Sequence, residues 1–175
     1  MSRSLAQLTF DDGPSAFTDA LLDVLGRHGV TATFFVIGEL VADRPETVRR
    51  TVDEGHAIGN HSWDHPYLAA LSEQEVRDQL RRTSAAIAAV IGREPDLFRP
   101  PFGDTSQTVE GVAGELGMRQ VLWDVDTEDW REHGRELVEA RIDAARPGQI
   151  VVLHDGGGDR EPTVRAVEGY LRRRT

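Results

Sequence analysis

Short apolar runs rich in β-branched and aromatic residues alternate along the chain with longer amphipathic stretches. The runs at 5–10, 32–37, 57–59, 97–98, 120–123 and 150–153 read as strands buried on both faces, as strands covered by helices must be. Between them Leu21, Leu22, Val24 and Leu25 mark one helix, and Pro45 suits the first turn of another that carries Val48 and Val52. Ser72 and Glu75 spell a capping box ahead of an alanine-rich helix running to about Ile91. Three more helices are predicted over 109–116, 135–146 and 163–172. No repeat, low-complexity linker or charge block interrupts the alternation, so a parallel sheet or barrel is the natural architecture.

Length narrows this further. A regular eight-unit barrel takes about 250 residues and seldom fewer than about 200, and this chain has 175. The prediction is a single α/β domain over 1–175, a distorted (β/α) barrel with fewer or shortened units than a full eight-fold barrel. Thirty acidic residues against twenty basic ones leave a formal charge of -10, whose field repels phosphate backbones and argues against a nucleic-acid partner. Every basic residue is arginine, which removes lysine Schiff-base chemistry. The absence of cysteine removes disulfides, thiolate nucleophiles and sulfur-ligated zinc, so any metal must take N and O ligands. No apolar run approaches the roughly 18 residues of a membrane span. The start, residues 1–4, leads straight into the first strand without a signal-peptide core, leaving localisation open.

The polar clusters fall at the carboxyl ends of the predicted strands, which share one face in a barrel. His61 and His65 are four apart, a spacing that on a helical turn points both imidazoles the same way, as two-histidine zinc sites require; alone they could equally be polar loop residues. Asp12 offers a third ligand. Asp11 and Asp12 precede the turn-forming Gly13-Pro14, and adjacent residues of a regular strand cannot face one point, so one carboxylate can bind a metal while the other reaches its water as a general base. The plain alternative is a turn cap. Arg99, in a rigid proline-rich loop, would hold a catalytic carboxylate ionised. His154, at the end of an apolar strand, suits a proton donor, and the segment 126–130 offers a carboxylate to orient it and an aromatic wall.

Taken in order, Thr9-Phe10-Asp11-Asp12-Gly13-Pro14, His61-Ser62-Trp63-Asp64-His65, Arg99-Pro100-Pro101-Phe102, Asp126-Thr127-Glu128-Asp129-Trp130 and Leu153-His154 form a pattern far more specific than any one part. The chain resembles the polysaccharide deacetylases of carbohydrate esterase family 4, the NodB homology domain, from about Leu5 to about His154. The resemblance implies Asp11 as catalytic base, His154 as general acid, and Asp12, His61 and His65 as ligands of a divalent metal, zinc above all. It also implies Arg99 tuning Asp11, Asp126 orienting His154, the Phe102 backbone N–H serving the oxyanion, and Pro101, Trp130 and Val152 lining the acetyl pocket.

Phe102 stands where the family usually has tyrosine, and Val152 where it usually has leucine. The chain ends after a helix where relatives usually add a closing strand, so an open barrel edge is expected. The implied partner is an N-acetylated glycan of chitin, chitooligosaccharide or peptidoglycan type. An O-acetyl xylan esterase, a hydrolase of small amides or imides, and a non-catalytic carbohydrate-binding protein are the alternatives. The resemblance implies a secreted or cell-wall-associated protein, and a cytoplasmic one if the start is native.

Overall fold

The computed structural model describes residues 5–131 and 134–175, so the leader reading at 1–4 falls outside the described residues. The chain order is β1 (Gln7–Gly13), α1 (Ala16–His28), β2 (Thr33–Val36), α2 (Gly38–Val41), α3 (Pro45–Asp53), β3 (Ala57–Asn60), α4 (Glu73–Ile91), β4 (Leu97–Phe98), α5 (Gln107–Glu115), β5 (Arg119–Gln120), β6 (Val125–Asp126), α6 (Arg135–Ala144), β7 (Ile150–His154) and α7 (Glu161–Arg172). The seven strands are parallel and lie in the order β5-β4-β3-β2-β1-β7-β6, curled into a half-barrel with helices outside, which is the distorted barrel of fewer than eight units. Among the described residues no helix is long and apolar enough to cross a membrane.

Strand alternation divides the interior into two compartments. Leu8 and Phe10 of β1, Phe34 of β2, Ile58 of β3 and Leu153 of β7 face the helices and join Leu21, Leu25, Val167 and Leu171 in the main core. The opposite parity points into the barrel and carries polarity: Thr9 and Asp11 accept from the Arg99 guanidinium there, and the Phe35 ring lies under that group at 4.3 Å. Gly59 has no side chain because a Cβ would stand 2.5 Å from Phe35. The long helix α4 starts at the capping box predicted from Ser72 and Glu75 and ends at Gly92, whose φ of 77 closes it in the left-handed conformation.

Of the strand expected at 120–123, only Gln120 lies in a strand, with the Val121 N–H still donating to Phe98 O of β4. Two two-residue strands stand in its place, β5 on one edge of the sheet and β6 on the other. Seven strands laid flat would be about 29 Å across at roughly 4.8 Å spacing, yet the five Cα steps from Gln120 to Val125 reach at most about 18 Å. The sheet must therefore curl until its edges face each other. In the crossing segment Arg99 takes two carbonyls that a strand neighbour would otherwise use: Nε donates to Val121 O at 3.1 Å and NH2 to Leu122 O at 3.1 Å. NH1 meanwhile donates to Thr9 Oγ1 at 2.7 Å and Asp11 Oδ1 at 2.8 Å on β1. The open edge expected from the early end of the chain is thus spanned by segment 121–124, with Arg99 linking it to the middle of the sheet.

Arg99 is 0% exposed and Asp11 3%, so removing one partner strands the other's charge. Arg99→Met is expected to lower the unfolding free energy in urea by about 3–5 kcal/mol, and pairing it with Asp11→Leu to recover most of that loss. A single variant as stable as the parent would show that the pair does not hold the barrel.

Candidate active site

A cavity of about 520 Å³ opens at the carboxyl ends of the strands, lined by Asp11, Asp12, His61, His65, Tyr67, Phe102, Trp123, Asp126, Trp130, Val152, His154, Gly157 and Arg160. Inward parity brings Asp11, His61 and His154 there, and Asp11 and His154 are register partners on neighbouring strands. Asp12 arrives differently. The β1–β2 register shifts between Asp11 and Gly13, and Asp12 sits at φ 75, so the bulge turns a second consecutive carboxylate toward the same space.

His61 and His65 converge without a helix. Ser62 (φ 65) and His65 (φ 63) are left-handed, and local side chains hold the turn: Ser62 N–H donates to Asn60 Oδ1, His65 N–H to Ser62 Oγ, and Trp63 N–H to Gln79 Oε1 of α4. Asn60 is itself anchored by donating to Leu80 O and Ser84 Oγ. The helical spacing read from the sequence is therefore corrected to a turn built by Asn60, Ser62 and Gln79.

Donor atoms of Asp12, His61 and His65 all lie within 4.8 Å of one another. His61 Nδ1 is 2.7 Å from Arg99 O, which fixes the proton on Nδ1 and leaves Nε2 bare toward Asp12 Oδ1 at 3.4 Å. His65 Nε2 is 3.1 Å from the same oxygen. That oxygen is buried and takes no hydrogen bond among the described residues. Two imidazole nitrogens turned toward one buried carboxylate oxygen suit a cation, and an N₂O donor set with an open side suits zinc. Burial would raise the Asp12 carboxyl, but the two imidazoles outweigh it and hold it well below the usual carboxylate range.

The carboxylate that orients His154 is Asp129, not Asp126. Asp129 Oδ1 lies 2.7 Å from His154 Nδ1, while Oδ2 accepts from His154 N–H at 2.9 Å and from Thr163 Oγ1 at 2.7 Å. Asp126 lies on β6, exposed, and its Oδ1 accepts from Glu128 N–H at 2.8 Å. Glu128 at φ 49 then turns the chain so that Asp129 points inward. Burial disfavours the His154 imidazolium, yet Asp129 outweighs it and, with the Asp11 and Asp12 charges, lifts the pKa to about 9. Asp129 is held below the ordinary carboxylate range despite its burial, through His154 and Thr163.

The remaining expected residues divide. Trp130 (49% exposed) and Val152 (2%) both line the cavity. Pro101 does not: it is buried at the start of a short turn whose Asp104 N–H donates to Pro101 O. The Phe102 N–H is taken by no acceptor among the described residues, and Phe102 stands at the cavity wall. Sequence reasoning passed over Thr163, Tyr67, Trp123 and Arg160. Arg160 is 6% exposed and, among the described residues, donates to the carbonyls of Gly156, Gly157 and Asp129, which ties the loop after His154 to Asp129.

The profile of the Polysaccharide deacetylase family matches residues 1–121. A peptidoglycan-N-acetylglucosamine deacetylase of Listeria monocytogenes is 45% identical over 150 residues, covering 85% of this chain and 32% of that protein. The chain therefore spans about a third of the length of this relative. A chitooligosaccharide deacetylase of Bradyrhizobium sp. is 45% identical over 152 residues, covering 85% of this chain and 69% of that one. A family 4 carbohydrate esterase from Streptomyces lividans, solved in complex with acetate, matches with a TM-score of 0.92 and 35% identity over 98% of this chain and 88% of that one.

Because the folded pKa of His154 is raised, its contribution to stability is complete below the ordinary 6.5 and lost as pH rises through about 9. In an NMR titration of the metal-free protein, His154 is expected to titrate near 9, and in Asp129→Asn well below that, because only the more distant Asp11 and Asp12 charges then oppose its burial. Asp126→Asn should leave it unmoved. A shift in the Asp126 variant alone would reverse the assignment.

Proposed function

The chain belongs to the polysaccharide deacetylase family, and from that premise we propose that it is a metal-dependent hydrolase removing acetyl groups from N-acetylated sugars of a peptidoglycan- or chitin-type glycan. The observation that carries this is the register pairing of Asp11 with His154 across one cavity that also holds Asp12, His61 and His65. A base and an acid on adjacent strands beside a cation-fitting trio are what amide hydrolysis requires.

Asp12, His61 and His65 would hold the ion, and zinc bound there supplies Lewis acidity toward the acetyl carbonyl and the attacking water. Asp11, ion-paired with Arg99 at 2.8 Å, takes a proton from that water as it adds to the carbonyl carbon. The Phe102 N–H donates to the oxyanion of the tetrahedral intermediate. His154, protonated below about 9, gives its Nε2 proton to the sugar nitrogen as the C–N bond breaks, and Asp129 stabilises the imidazolium until then. Trp130 and Val152 enclose the acetyl methyl. Acetate and the free amino sugar leave. Acting on such glycans, the protein works at the cell wall.

The test is acetate release from an N-acetylglucosamine oligomer and from acetylated xylan, after chelation and after zinc return. Zinc-dependent release from the oligomer is expected, falling about 10²- to 10⁴-fold in Asp11→Asn. The pH profile should be bell-shaped, with an alkaline limb where His154 loses its proton. Preference for xylan would move the protein to the O-acetyl esterases; binding without release from either substrate would make it a carbohydrate-binding protein.

A further inference from the structure

Phe102 stands at φ 60 and ψ 6, a left-handed conformation that is strained for a residue with a side chain. Its ring is 54% exposed, so burial does not hold it there. Contacts on two sides do. The Tyr67 ring stacks on it at 4.2 Å and 17°, and the His65 ring meets it edge-on at 4.5 Å.

Tyr67 is itself 60% exposed and anchored through its neighbours. Leu68 is 0% exposed in the cluster with Val76, Leu80 and Phe98. Ala69 N–H donates to Asp104 Oδ2 at 2.8 Å, joining the segment that carries Tyr67 to the residue two beyond Phe102. The other amides of the turn are engaged, Gly103 N–H by Pro100 O and Asp104 N–H by Pro101 O. The one untaken N–H belongs to the strained residue under the Tyr67 ring.

We propose that Tyr67 is a positioning residue: its ring, clamped onto Phe102, keeps the turn at 101–103 in the left-handed conformation that presents the Phe102 N–H to the cavity. The functional consequence rests on that N–H serving the oxyanion, as in the mechanism above. Glycine adopts this conformation without cost, so the clamp is needed only while residue 102 has a side chain.

Tyr67→Ala and Tyr67→Phe are compared in the parent and in Phe102→Gly, with zinc affinity measured by calorimetry. In the parent background Tyr67→Ala is expected to lower kcat about three- to tenfold, the size of an aromatic pair contact, with KM and zinc Kd unchanged. Tyr67→Phe should restore kcat. In Phe102→Gly, Tyr67→Ala should have no further effect. Relaxation dispersion of the Phe102 amide, which needs no turnover, should be flat in the parent and in Tyr67→Phe and pronounced in Tyr67→Ala. Flat dispersion in Tyr67→Ala overturns the clamp, as does an equal kcat loss in both backgrounds. A loss confined to KM would make Tyr67 a sugar-stacking surface instead. A parent chain that releases no acetate while Tyr67→Ala still shows dispersion would overturn the hydrolase reading and leave the clamp standing.

Discussion

The buried guanidinium of Arg99 is the constraint on which the rest of the structure depends. It sits inside the barrel with no exposure, bonded to Thr9 and Asp11 on β1, an interior strand of the sheet, and to the carbonyls of Val121 and Leu122 on the segment joining the two sheet edges. An unpaired cation there would be costly, so the four partners must stay together for the chain to fold. The group that closes the curled sheet is therefore the one that fixes Asp11, and the Arg99 carbonyl sets the tautomer of His61. Scaffold and site share one residue.

Backbone strain collects around the same cavity. Among the described residues, the non-glycine residues with positive φ are Asp12, Ser62, His65, Phe102 and Glu128. Asp12 becomes a second inward carboxylate, Ser62 and His65 converge the histidine pair, Phe102 frees an N–H, and Glu128 swings Asp129 toward His154. Each departs from regular geometry where a strand or helix would aim the side chain elsewhere. Such residues persist only where neighbouring structure holds them, as Asn60, Gln79 and Arg160 do with side-chain bonds to the loops concerned.

Periodicity carried most of the fold. The strands around β1, β2, β3 and β7 and the helix opened by Ser72 were legible because burial on both faces and capping leave local signatures. The run at 120–123 misled beyond Gln120 because the apolar character of Val121 and Trp123 reflects burial and contact with Arg99 across the barrel, and nothing local distinguishes that from a strand. For the site, segment order placed Asp11, Asp12, His61, His65 and His154 in one cavity. The choice between Asp126 and Asp129 turned on a left-handed Glu128, which spacing does not encode. Tyr67 and Thr163 were missed because they act through neighbours from elements distant in sequence.

The edges of the sheet carry a further consequence. An exposed strand offers a ladder of unpaired amides and carbonyls on which another chain can assemble. Here both terminal strands are two residues long, and β5 carries Arg119 and β6 Asp126. Between them the Val121 and Leu122 carbonyls accept from the Arg99 guanidinium. A barrel that is incomplete by strand count thus offers at its described edges almost no template for edge-to-edge pairing.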